Sequence, residues 1–121
     1  MSSERGTDEK VVWLVNKGGH DYSSLADFGR VICLTTGAVN PFNPDRLMVN
    51  LGHHLSMAKE QDYVAISGVP ILNALAIAMW LEKFPHANLL QWSVRAGAYV
   101  FTQVSKAALV RNVNDGGKVN E

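Results

Sequence analysis

The chain predicts an α/β fold, a small three-layer domain with a mostly parallel sheet and a C-terminal antiparallel hairpin. Three observations carry that prediction. Three short apolar runs, residues 11–15, 31–34 and 63–66, each spill into a glycine-rich polar loop. Runs that are apolar throughout suit strands covered on both faces. Between and after them, apolar residues recur at helical spacing.

In order, the first strand covers about residues 11–16. Asp21 is placed to cap a short helical turn through Ser24 to Phe28, and Gly29 stops it. The second strand covers about 30–36. Asn43, Pro44 and Asp45 then open a helix: an amide to cap, proline in the first turn, an acid against the positive dipole end. Leu47, Leu51, Leu55 and Ala58 form its buried stripe, and it runs to about Lys59. A third strand covers about 62–67.

A second long helix, about Pro70 to Phe84, is apolar on most sides, so it is central in the fold or covered by another subunit. Pro85 ends it. Strands at about 88–92 and 98–104 flank a turn at 94–97, and they form the antiparallel hairpin. A right-handed crossover makes the third and fourth strands parallel. The alternation is that of a small Rossmann-like domain.

A chain of 121 residues is one domain, expected at residues 11–111. Residues 1–10 are expected as a flexible arm and 112–121 as a disordered tail. The composition, 47% hydrophobic and 18% charged, supports a packed core. Zero formal net charge excludes the basic surplus that binding a long nucleic acid needs. The longest apolar stretch, 69–81, is broken by Pro70 and Asn73 and falls short of the roughly 20 residues that span a bilayer. No secretory signal opens the chain. The expected setting is cytoplasmic, and the lone Cys33 is expected in the core.

Open α/β sheets bind ligands outside the carboxyl ends of their strands, where the three loops should emerge. Residues 16–24 are the richest. Gly18 and Gly19 let a ligand approach the main chain, and Lys17 offers a cation. His20 is an acid or base near neutral pH. Asn16, Ser23 and Ser24 add polar groups for a phosphate or carboxylate. A tight turn with His20 on the surface is the bland alternative. The spacing matches neither a nucleoside-triphosphate loop nor a dinucleotide fingerprint.

Ser67 and Gly68 join a strand to a helix start, where unpaired N–H groups welcome an anion, and Asn73 lies one turn inside. Equally, Ser67 caps that helix and Asn73 bonds the adjacent loop. Thr36 completes the rim, or simply ends a strand. His53 and His54 are adjacent on a helix, so they point apart and hold no metal together. Neither a metal nor a cofactor is expected. The three tryptophans are read as packing.

The run 15–23, followed by Phe28-Gly29 and by residues 34–37, resembles a group of small uncharacterised proteins from tailed phages and prophages. Residues 88–90 and Tyr99-Val100 fit the same group, and the resemblance implies a phage or mobile-element source. A local likeness at 64–70 is similar to one strand–turn–helix unit of the small CRISPR-associated ring nucleases, which bind cyclic oligoadenylate; no catalytic residue follows from it.

The expected function is binding of a small anionic, nucleotide-like ligand at the carboxyl edge of the sheet. A defence-signal nucleotide, sequestered or cleaved, fits a phage source. If cleavage occurs, His20 is the general acid or base and Lys17 stabilises negative charge. A homodimer or larger homo-oligomer is expected to complete the pocket. The alternative is a non-enzymatic phage accessory protein that binds a host protein or self-assembles.

Overall fold

The computed structural model describes residues 9–117. It is a mixed α/β fold: β1 (Val11–Leu14), β2 (Arg30–Cys33), α1 (Pro44–Leu55), β3 (Tyr63–Ala65), α2 (Pro70–Lys83), β4 (His86–Ser93), β5 (Ala98–Ser105) and α3 (Lys106–Asn114). A short 3₁₀ turn, Ser23–Asp27, links β1 to β2. The five strands form one sheet in the order β2-β1-β3-β4-β5. β1 to β4 run parallel, and β5 returns antiparallel to β4.

Side-chain alternation along β1 divides the core in two. Val11, Trp13 and Val15 face α1 and α2, meeting Leu47, Leu51, Leu72 and Trp80. Val12 and Leu14 face the other way, toward Leu25 of the 3₁₀ turn. Among the described residues, the outer layer on that second side is therefore one turn, not a pair of helices.

Both long helices start as their sequences dictate. Asn43 Oδ1 accepts from the Arg46 N–H at 3.3 Å, with Pro44 in the first turn. α1 stops at Leu55, four residues short of Lys59, and a lysine side chain takes up carbonyls at and just past its end. Lys83 Nζ, from the end of α2, donates to the carbonyls of Leu55, Ser56 and Ala58 at 3.0, 2.9 and 2.9 Å. A lysine there satisfies orphan carbonyls and suits the negative dipole end.

Asp62, just before β3, is fully buried. Its Oδ1 accepts from the Val11 N–H at 3.0 Å, and its Oδ2 from Trp13 Nε1 and the Lys59 N–H, each at 3.0 Å. One carboxylate thus pins β1, the core tryptophan and the end of the α1 connection together. Nothing in its spacing marks it in the sequence.

A helix occupies part of the expected tail: α3 extends to Asn114, capped by Ser105 Oγ, which accepts from the Ala108 N–H at 3.3 Å. Residues 1–8 of the expected arm and 118–121 of the expected tail lie outside the described residues. Among the described residues, no helix is long and apolar enough to cross a membrane.

Candidate functional site

Because β1, β2 and β3 are parallel neighbours, the loops that follow them leave the sheet at one edge. Hydrogen bonds lace those loops together around Asn16, which is 4% exposed. Its Nδ2 donates to Thr35 Oγ1 at 2.8 Å and to the Gly37 carbonyl at 3.1 Å, both after β2. Its N–H donates to Ser67 Oγ at 3.1 Å, and Ser67 Oγ donates to its carbonyl at 2.8 Å.

Two further bonds fix the loop ends. Ser67 N–H donates to Asn73 Oδ1 at 3.0 Å, and Asn73 Nδ2 donates to the Val69 carbonyl at 3.3 Å. Asn73 therefore holds the adjacent loop, whereas Ser67 reaches across to β1 and does not cap α2. Tyr22 OH accepts from the Gly18 N–H at 2.9 Å and donates to the Asn16 carbonyl at 3.3 Å.

The His20 and Ser67 loops meet at one depression of about 200 Å³. Ile66, Ser67 and Gly68 line it from the loop after β3; His20 and Tyr22 line it from the first loop. Trp92 and Tyr99, directly opposed across the β4–β5 hairpin, complete the wall. The rings meet edge to face: His20 lies 4.5 Å from Trp92, 5.3 Å from Tyr22 and 6.1 Å from Tyr99, centroid to centroid. Trp92 is 37% exposed, unlike Trp13 and Trp80, which are buried as expected. Burial pushes the Tyr99 hydroxyl up to about 12, with the Tyr22 ring beside it adding to the shift.

The remaining expected residues fall outside this depression. Lys17 pairs by its backbone with Thr36, on the β2 side of the edge. Thr36 lines a separate depression of about 570 Å³, together with Val39, His53 and His54. Gly19 faces open space. Ser23 belongs to a turn: its N–H donates to Asp21 Oδ1 at 2.9 Å, and that bond holds the Asp21 carboxyl below its ordinary range. Ser24 Oγ accepts from the Tyr99 N–H at 3.5 Å, tying the 3₁₀ turn to β5.

Sequence reasoning missed Tyr22, Trp92 and Tyr99. A signal existed: strand alternation puts Trp92 on the face of Leu90, and the short turn at 94–97 sets it against Tyr99. Among the described residues, no group of three His, Cys, Asp or Glu side chains is placed to hold a metal ion.

The family model described as Phage Pam3 gp32-like protein matches residues 10–106. No curated protein and no solved structure matches the chain.

Proposed function

We propose that this chain, which belongs to the Phage Pam3 gp32-like protein family, binds a small nucleotide-like ligand at the carboxyl edge of its sheet. The observation that supports this reading is the convergence of His20, Ser67 and Gly68 with Trp92 and Tyr99 on one depression. Sheet order supports it too. The order reverses between β1 and β3, where doubly wound sheets hold ligands, and this favours the Rossmann-like reading.

The chemistry of the walls selects the part of the ligand held inside. Sites for drug-sized molecules run to roughly 300–1,000 Å³; about 200 Å³ takes a single ring. Aromatic edges and faces favour a flat heteroaromatic ring such as a nucleobase, worth roughly 1–3 kcal/mol of stacking per base. Sugar and phosphate then lie along the rim, toward the start of α2.

The same geometry favours binding over turnover. A general base needs a partner that orients it. Among the described residues no side chain orients His20 by a hydrogen bond: its ring meets three other rings, and the adjacent Asp21 carboxylate acts on it through charge alone. In a phage protein, tight holding of a defence-signal nucleotide removes the signal without cleaving it.

Thermal unfolding against nucleosides, mononucleotides and cyclic oligonucleotides tests the proposal. A ligand at 100 times its dissociation constant adds roughly 2.7 kcal/mol of apparent stability. It should also change the fluorescence of Trp92. A flat response across all three classes removes the ligand site.

A further inference from the structure

We propose that a second depression, at the amino end of the sheet, binds a neutral flat heteroaromatic ring: a free nucleobase or a nucleoside. Its volume is about 520 Å³, within the roughly 300–1,000 Å³ of small-molecule sites. It lies on the sheet face that carries Trp92 and Tyr99. Alternation puts three cross-strand pairs of β4 and β5 on that face: Trp92–Tyr99, Leu90–Phe101 and Asn88–Gln103. The 3₁₀ turn covers the face near Leu90 and Tyr99, through Leu25. Lys10, Glu60, Tyr63 and Phe101 join Asn88 and Gln103 around the end that the turn leaves open.

The amide pair sets the chemistry. Asn88 is 8% exposed, and its Nδ2 lies 3.2 Å from the carbonyls of both Glu60 and Asp62. Carbonyls only accept, so the amino group faces them and Oδ1 faces Gln103. Oδ1 accepts there from Gln103 Nε2 at 2.9 Å. The backbone thus fixes which way round the Gln103 amide stands. Its Oε1 and its second Nε2 hydrogen have no partner among the described residues. A mobile glutamine loses rotamer freedom when it binds, whereas this one is held before any ligand arrives. Such an amide offers one acceptor and one donor, which suits a flat edge that carries a donor beside an acceptor. Every nucleobase has such an edge, and a sugar does not.

Rings and charges narrow the ligand further. Tyr63 is already engaged: the Phe28 and Phe101 rings lie 5.4 and 5.9 Å from it, and Lys10 Nζ stands 5.8 Å from its centroid. Phe101 is 48% exposed and keeps a surface for a flat partner. Lys10 and Glu60 bring one charge of each sign, and His86 Nε2 lies 3.7 Å from Glu60 Oε2. The lining therefore has little surplus of positive charge to draw in a phosphate. A base or nucleoside without phosphate matches it, unlike the anionic ligand proposed for the carboxyl edge.

Nuclear magnetic resonance titration of the full chain with adenosine, guanosine, cytidine and uridine tests this, with glucose as the probe for a sugar. At least one nucleoside should shift the side-chain amide signals of Asn88 and Gln103 together with the ring signals of Phe101. Gln103→Ala and Phe101→Ala, both at exposed positions, should each weaken that binding roughly fivefold or more. A nucleoside that moves only the Trp92 indole signal occupies the carboxyl-edge depression, and that pattern for all four overturns the inference. So does a complete absence of shifts, or glucose moving the Gln103 and Phe101 signals where no nucleoside does. Undiminished affinity in folded Gln103→Ala overturns it as well.

Discussion

The Ser67 hydroxyl takes over the β1–β3 ladder where the backbone leaves it. The last backbone bond there runs from the Val15 N–H to the Ala65 carbonyl at 3.1 Å. One residue on, Ser67 Oγ serves both the N–H and the carbonyl of Asn16. Ser67→Ala leaves the buried Asn16 N–H without a partner and its carbonyl with only the longer bond from Tyr22 OH, at about 1–3 kcal/mol for a lost buried bond. Chemical denaturation should show a loss of that size, and Ser67→Thr should recover part of it.

Gly68 carries the sharpest backbone constraint at the site. Its φ is +74°, and an added Cβ would stand 2.6 Å from Asn16 Cβ. That neighbour is the root of a fixed side chain, so it cannot swing aside. Gly97, at φ +63° in the hairpin turn, has nothing within 4 Å of an added Cβ. Gly97→Ala should therefore cost only the left-handed penalty, about 1–2 kcal/mol. Gly68→Ala should cost clearly more, and equal midpoints for the two variants would show the close approach to be unimportant.

Asp62 is the heaviest single polar contributor to the amino end of the sheet. Asp62→Ala orphans three donors, of which the Val11 N–H and the Trp13 indole lie in the core. A loss of about 3 kcal/mol or more is expected, a large fraction of a small domain's stability. Denaturant titration measures it, and the Trp13 fluorescence should report the same transition.

Tyr99 makes stability fall with alkaline pH. An unfolded tyrosine ionises near 10, whereas Tyr99 in the folded chain holds its proton up to about 12. Below 10 both states are protonated, so this group contributes no pH dependence. Between 10 and about 12 the unfolded chain gives up the proton first, and stability declines as pH rises. Ultraviolet titration of the native protein should show one of the three tyrosines ionising late. Tyr99→Phe should remove that late step and flatten the stability profile over the same window.

The parallel order of the strands was legible because each apolar run ended in glycine or a polar loop, and because Pro70 and Pro85 punctuated α2. The meeting of the Asn16 and Ser67 loops followed from that order alone. What the sequence concealed is long-range. Lys83 caps the end of α1 from the far end of another helix, and Asp62 bonds a strand 51 residues earlier. No local periodicity carries either partnership. α3 escaped notice because its apolar face has no core to match, and helices are recognised by the stripe they bury. Proximity in sequence puts Lys17 with His20, but the backbone pairs it with Thr36.

Trp92 separates the ligand site from the fold. Trp13 and Trp80 are buried, and truncating either should cost the several kcal/mol typical of a core aromatic. Trp92 is 37% exposed and its main contacts are the rings of His20 and Tyr99. Trp92→Ala should cost clearly less than truncating either core tryptophan, because only part of its area is buried and its ring contacts add about 0.5–1.5 kcal/mol. Ligand affinity should respond far more, because the residue forms a wall of the depression: stacking worth 1–3 kcal/mol corresponds to a roughly 5- to 150-fold loss. His20→Ala should weaken binding in the same direction with a smaller change in midpoint. Calorimetry on both variants decides the matter. Affinity lost in step with stability would make the aromatic cluster packing, whereas affinity lost at nearly unchanged stability makes it a binding surface.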